Sequence, residues 1–229
     1  MEMDSSYAIN YDRGREFLKW IAIITMTLDH IGLVLYPQYS IFRIVGRISF
    51  PLFAYLLVLG IESTRNLRRY FYRLFFFALI SQIPFSLANG IQLWEYLNIF
   101  FTLALGLKLI YFLEKNSIAL FIPLIASIFI PVDYGGYGVA SVLIFYLLRK
   151  DKRLGVGLFI LINIIYIFFD SSIQPFSLIA LPLILLHNDG KYPFNQIKRK
   201  TRHPLLRKYF FYIYYPLHLM ILALIKIYY

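Results

Sequence analysis

Apolar runs of roughly membrane-spanning length recur from near residue 17 to the C-terminus, separated by short polar breaks. A helix needs about 20 predominantly apolar residues to cross a ~30 Å hydrocarbon core, with ~17 as a working lower limit. On that measure the pattern predicts spans at 17–36, 47–62, 70–88, 97–113, 117–131, 134–148, 154–169, 173–187 and 209–227. Several are short, so eight to ten crossings fit the same pattern, and the region 117–148 admits tilted, re-entrant or differently divided segments. The expected fold is all-α: a polytopic transmembrane helical bundle of about nine spans, forming one integral-membrane domain over residues 1–229. No tandem repeat and no similarity between the two halves is visible, which argues against an inverted-repeat transporter.

Composition agrees with the pattern. Hydrophobic residues make up 60% of the chain and charged residues only 15%, whereas soluble domains carry about 25% charged residues. The chain has no cysteine, which excludes disulfides, thiolate metal sites and cysteine nucleophiles. Its start is polar and acidic (Glu2, Asp4, Asp12, Glu16), unlike the basic start of a removable signal, so the first span is expected to stay as an anchor.

The net charge of +11 suggests a nucleic-acid partner until its distribution is read. With sides alternated through nine spans, the N-terminal side holds Arg13, Arg15, Lys19, Arg65, Arg68, Arg69, Arg73, Lys108, Lys115, Arg149, Lys150, Lys152, Arg153 and seven more between Lys191 and Lys208. That is 20 of the 23 basic residues. Only Arg43, Arg47 and Lys226 fall on the other side. The positive-inside rule then places the N-terminus in the cytoplasm and predicts a multi-pass protein of the bacterial cytoplasmic membrane, with the bilayer and not nucleic acid as its surroundings. The basic loops serve topology alone or, in addition, hold a phosphate-bearing cosubstrate.

Within the spans the informative residues are ionisable. Asp29 and His30 sit side by side in the first apolar run, where either costs several kcal/mol unless a partner or a wet cavity receives it. At ~1.5 Å per residue His30 lies ~20 Å from Phe17, in the outer half of the bilayer. Gln82, Asn98, Asp133-Tyr134 and Asp170 to Gln174 fall at outer span ends too, while His218 lies deeper, near the middle of the ninth span. Arg43 and Arg47, four apart, share one face if their segment is helical. These groups predict a cavity opening outward. Each also has a plainer reading: arginines snorkelling to headgroups, Asp29 as their counter-ion, structural histidines, Asp133 opening a turn, Gln82 and Asn98 bonding helix to helix.

A neutral imidazole in a partly dry cavity is a general base suited to neutral pH. It can take a proton from an amine or hydroxyl attacking an acyl carbonyl, with Arg43, Arg47 or the amides of Gln82 and Asn98 steadying the oxyanion. Adjacent helix residues point about 100° apart, so Asp29 pairs more readily with Arg43 or Arg47 than with His30. No G-x-S-x-G elbow, P-loop or dinucleotide fingerprint is present, and no ligand spacing argues for a metal.

At these residues the chain resembles the TraX family, membrane proteins associated with N-terminal acetylation of conjugative pilin. The matching stretches are LKWIAIITMTLDHIG (18–32), FRIVGRISFPLFAYLLVLGIESTRN (42–66), YRLFFFALISQIPF (72–85), LNIFFTLALG (97–106), DYGGYGV (133–139) and FFYIYYPLHL (210–219). That family in turn is similar to multispan acyltransferases of the type-3 class, whose first span carries an arginine eleven positions before a catalytic histidine. Here the spacing is Lys19 to His30, with lysine, which lacks the guanidinium fork, in the arginine's place. The resemblance implies a membrane acyltransferase that moves an acetyl or other acyl group from cytoplasmic acyl-CoA. The acceptor implied is an exported amine, such as a pilin N-terminus, or a cell-surface glycan hydroxyl. Under that implication His30 is the base, with Asp29 its electrostatic neighbour and His218 a second proton-handling or orienting group. Arg43, Arg47, Gln82, Asn98, Asp133 and Tyr134 line the acceptor side, and Lys19, Arg68, Arg69 and Arg73 face the phosphates. The rival readings are a proton-coupled transporter or flippase relaying through Asp29, His30 and Asp133, and a non-catalytic subunit of an export or conjugation apparatus.

Overall fold

Turn chemistry sets the helix boundaries. Asn66 accepts from the Arg69 amide at 2.9 Å and starts one helix, Asp151 accepts from the amides of Arg153 and Leu154 and starts another, and Gly90, at a φ of 70°, ends a third. In the computed structural model, which describes residues 13–168, 173–191 and 204–228 with side chains from 209 in the last stretch, the helices are α1 (Arg13–Val34), α2 (Ser40–Gly46), α3 (Ser49–Ser63), α4 (Leu67–Asn89), α5 (Ile99–Glu114), α6 (Phe121–Phe129), α7 (Gly135–Lys150), α8 (Lys152–Ile167), α9 (Ala180–Asn188) and α10 (Pro204–Tyr228). Two 3₁₀ turns, Ile118–Leu120 and Gln174–Ile179, lead into α6 and α9. The expected polar residue Asp170, the acidic N-terminal residues up to Asp12 and the basic run 198–202 lie outside the described residues. The chain is all-helical there, apart from an isolated bridge between Leu97 and Val132.

Every predicted apolar segment contains a helix, but the lengths differ from a uniform nine. Arg13–Val34, Ser40–Ser63, Leu67–Asn89 and Tyr209–Tyr228 are long and apolar enough to cross a membrane. Each of α5, α7 and α8 has 16 residues, a rise of about 24 Å, and α6 has only nine. The second segment begins earlier than hydropathy predicts, because α2 joins α3 through the helical backbone of Arg47 and Ile48. Arg43 therefore sits on a helix and not in a loop.

Polar contacts at the helix ends sort the segments into alternating directions. At one end Arg15 of α1 donates to Ser63 of α3 (2.9 Å), Arg149 of α7 joins Glu62 (3.0 Å) and Asn188 (2.8 Å), Lys152 of α8 pairs with Asp189 beyond α9 (2.6 Å), and Tyr146 donates to Glu114 of α5 (3.0 Å). The Lys152 ammonium holds the Asp189 carboxyl below its usual range. At the other end Asp29 meets Arg43, Arg47 meets Gln174, Leu97 pairs with Val132, and Lys226 of α10 caps the Ala88 carbonyl of α4 at 3.2 Å. We refer to these as the basic end and the far end.

Helix α3 is the hub. Twelve of its fifteen residues are buried, as expected of a helix that is apolar all round and enclosed by others. Helices α1, α5, α7 and α9 surround it, α8 packs outside α7, and α10 lies along α4 and α1. Outward faces of α1, α4, α6 and α10 leave large side chains such as Ile24, Phe76, Ile122 and Leu217 exposed. Glycines allow the helices to approach closely at several points, two of which fix neighbouring pairs. A Cβ on Gly46 would fall 2.0 Å from Asp29 Oδ1, and one on Gly155 would fall 2.3 Å from the Leu148 Cα; any larger residue would push α2 off α1, or α8 off α7.

Candidate active site

Helix periodicity carries the ionisable pair inside. The buried stripe of α1 runs Leu18, Ala22, Met26, then Asp29 and His30, while Trp20 and Ile24 face outward. The same 3.6-residue spacing that builds the core therefore aims the carboxylate and the imidazole into it. Asp29 is 9% exposed and His30 8%.

Asp29 Oδ2 receives Arg43 Nη1 at 2.6 Å, while Oδ1 is buried with no hydrogen-bond partner. Arg47, one turn on, donates to Gln174 Oε1 at 3.1 Å and lies 5.6 Å from the Tyr134 ring centroid. The expected shared face of Arg43 and Arg47 is present because α2 is helical through both. Tyr134 stands in left-handed backbone, φ 60°, ahead of α7, followed by Gly135 at 44°. A tyrosine in that region is strained by about 1–3 kcal/mol and needs its surroundings to hold it. Its ring stacks on Phe50 at 4.2 Å, and the preceding residue is pinned at both backbone groups: the Asp133 amide donates to Leu97 O at 2.8 Å, and Thr102 Oγ1 donates to Asp133 O.

His30 meets a partner 188 positions away: His218 Nε2 lies 2.9 Å from His30 Nδ1. The tautomers follow from one fixed acceptor. The Tyr214 carbonyl, 2.9 Å from His218 Nδ1, can only accept, so His218 Nδ1 carries the proton. In a neutral ring Nε2 is then bare and accepts from His30 Nδ1–H. That leaves His30 Nε2 as an unprotonated lone pair. Tyr214 also stacks on His218 (centroids 5.0 Å apart), and its hydroxyl meets Thr27 Oγ1 at 2.7 Å. Thr27 and Tyr214 went unnoticed in the sequence, although each stands within a turn of a histidine. The expected deeper position of His218 is corrected: α10 is placed so that its middle faces the far-end part of α1, level with His30.

Gln82 and Asn98 are also corrected as acceptor or oxyanion ligands. Both are fully buried. Asn98 Nδ2 donates to Gln82 Oε1 and Ala78 O (2.8 Å each), Gln82 Nε2 donates to Leu93 O and Tyr96 O (2.7 Å each), and Asn98 Oδ1 caps the Phe100 amide. Every donor is committed to bracing α4 against α5 and the loop between them, which leaves none for a ligand.

Cavities approach the histidine pair from both ends. On the far side a depression of about 460 Å³ is lined by Asp29, His30, Arg43, Glu95, Tyr96 and Asp133, and a larger one of about 790 Å³ by Arg43, Arg47, Tyr96, Ser127, Asp133 and Tyr134. Asp133 lines both, and also an inner chamber of about 30 Å³ walled by Met26, Asp29, His30, Ser49, Phe50 and Tyr215. At the basic end a cavity of about 320 Å³ has Arg15, Lys19, Tyr70, Arg73 and Tyr212 among its polar lining and Leu56, Leu57 and Leu74 among its apolar lining. Lys19 is bridged to Glu16 at 2.7 Å, and Arg73 Nε is buried without a partner. Of the expected phosphate ligands, Lys19 and Arg73 are brought together, joined by Arg15, which sequence reading had counted only towards topology. Arg68 and Arg69 are exposed on the outer side of α4, Arg68 lying over Tyr72, and do not reach this cavity.

No solved structure matches the chain. A probable fimbrial assembly protein FimC (serogroup H1) of Dichelobacter nodosus is 30% identical over 96% of this chain and 98% of its own length. Protein TraX of Escherichia coli is 31% identical over 61% of this chain and 58% of its own. The profile of the family described as TraX protein matches residues 14–226, and with nearly the whole chain so covered, this protein belongs to the TraX family.

Proposed function

We propose that this protein is a multi-pass acyltransferase of the bacterial cytoplasmic membrane, with its N-terminus and basic end in the cytoplasm. It moves an acetyl group, or another acyl group, from coenzyme A to an amine or hydroxyl at the far face. The Dichelobacter nodosus relative is named a probable fimbrial assembly protein, which favours the N-terminus of a pilin-like protein as acceptor over a glycan hydroxyl. The observation that carries the reading is a buried imidazole with a bare Nε2, lining a cavity from the far side and parted from the basic-end cavity by a single layer of side chains.

The basic-end cavity fits the donor. Arg15, Lys19 and Arg73 supply cations for phosphates, and the leucine lining suits a narrow, mostly apolar arm. Lys19 to His30 is eleven residues, a rise of about 16 Å. At the far side Arg43 and Arg47 face the incoming acceptor. His30 Nε2 takes the acceptor's proton as its nitrogen or oxygen bonds to the carbonyl carbon. The carbon–sulfur bond then breaks, and the proton passes from His30 to the departing sulfur. His218 holds the His30 tautomer through Nδ1, which makes it a positioning residue; Asp29 holds Arg43.

Purified protein in vesicles, given labelled acetyl-CoA and a peptide with a free N-terminal amine, is expected to acetylate the peptide. His30→Ala is expected to abolish transfer while the protein stays folded and inserted. Undiminished transfer by that variant removes the mechanism. Opposed cavities with a thin partition also suit a proton-coupled transporter; that reading requires pH-gradient-driven flux and no coenzyme A binding in the same vesicles.

A further inference from the structure

The basic-end cavity and the His30 chamber share three lining residues: Phe53 of α3, Leu103 of α5 and Phe211 of α10. These come from three helices, and together they form a septum. The Phe53 and Phe211 rings stack with centroids 4.2 Å apart, Phe211 is wedged edge-on against Phe100 at 5.5 Å, and Phe53 and Leu103 are buried. The partition is therefore packed from behind and is not a loose flap. On the basic side lies about 320 Å³ and on the histidine side about 30 Å³. A site of that smaller size holds about two water-sized groups, so it has room for a carbonyl and little beyond it.

Resting on the acyl-transfer reading, we propose that Phe53, Phe211 and Leu103 select the acyl chain. The coenzyme A arm stays on the basic side, the septum parts only far enough to admit the thioester end, and chains longer than two or three carbons are refused. The remaining wall of the chamber includes His30, Asp29, held by Arg43, and the Phe50–Tyr134 stack. Each methylene that a packed apolar pocket cannot place lowers use by about tenfold or more, so octanoyl and acetyl donors should differ by at least 100-fold.

The test is competition among coenzyme A, S-ethyl-coenzyme A and S-octyl-coenzyme A for purified protein, together with acetyl and octanoyl transfer to the peptide. Wild type is expected to transfer acetyl at least 100-fold better than octanoyl and to bind the S-ethyl compound at least tenfold tighter than the S-octyl one. Phe53→Ala and Phe211→Ala are expected to narrow both ratios at least tenfold, each ratio being taken within one variant so that any change in affinity for the coenzyme A arm cancels. Phe53→Leu, which keeps most of the packing, should shift the ratios the same way by a smaller factor, and serves if an alanine variant proves unstable. Equal use of both chains by wild type, or unchanged ratios in folded variants, overturns the selector and leaves acyl transfer standing. Absence of coenzyme A binding and transfer in wild type overturns the parent reading, and this one with it.

Discussion

Replacing His218 by leucine is the sharpest probe of the histidine pair, because it removes the ring that fixes the His30 tautomer without touching substrate. In the intact protein the chain of donation runs His30 Nδ1–H to His218 Nε2 and His218 Nδ1–H to Tyr214 O, both at 2.9 Å. Leucine has a similar bulk and no acceptor. The His30 Nδ1–H is left either unsatisfied, at about 1–3 kcal/mol, or free to move its proton to Nε2, where the base is lost. At 1.36 kcal/mol per tenfold, that range corresponds to a roughly 5- to 150-fold fall in kcat. The assay is steady-state acetyl transfer to the peptide in vesicles, with donor and acceptor varied separately. KM for each should stay within about twofold, because His218 lines none of the cavities described above. His218→Gln, whose Oε1 can accept from His30, should recover most of kcat. Turnover of the leucine variant within twofold of wild type, or a glutamine variant no better than leucine, refutes the tautomer argument.

Two further predictions concern what holds the site. Breaking a buried ion pair costs about 3–5 kcal/mol; since the Arg43 side chain is 24% exposed, Arg43→Gln is expected to cost nearer ~2 kcal/mol, a fall of about 4–8 °C in Tm for a domain of this size, and Asp29→Asn in the same background should return at least half of it. Strictly additive single effects in thermal unfolding would show that the two do not interact. Asn98→Leu removes a cap worth ~1 kcal/mol and the two Nδ2 bonds to Gln82 Oε1 and Ala78 O, while the backbone amide of residue 98 still donates to Gln82 Oε1, so Tm should fall with no change in acceptor KM; the reverse pattern would restore Asn98 as a ligand.

Much of the architecture could be read along the chain. The nine apolar segments each hold a helix, because the cost of unpaired backbone groups in an apolar environment forces such runs to be helical. The sorting of basic residues to one end is also linear information: it depends only on loop order. Helix lengths were less legible. Hydropathy marks where apolar residues are, but α2 starts at Ser40, forward of the predicted second span, and its seat on α1 depends on the close approach of Gly46 to Asp29. In the same way, the shortness of α6 reflects its turn into the Leu97–Val132 bridge. The choice between the two readings of the amides, ligand or interhelical bond, needed the structure for a related reason. Gln82 and Asn98 each look like ligands when counted singly, and only in three dimensions do their donors turn out to be used by each other and by carbonyls in the intervening loop.

What the chain determined by itself is the class of fold, the alternation of its segments and the burial of Asp29 and His30, since periodicity along one helix is enough to aim both inward. What the tertiary structure decided is every contact between distant segments: His218 level with His30, Arg43 on Asp29, Arg15 beside Lys19 and Arg73, and the phenylalanine septum between two cavities. A helix constrains the directions of its own side chains to a few turns, whereas the rotation and axial offset of one helix against another are set by how all their surfaces pack together, and no local pattern encodes that sum.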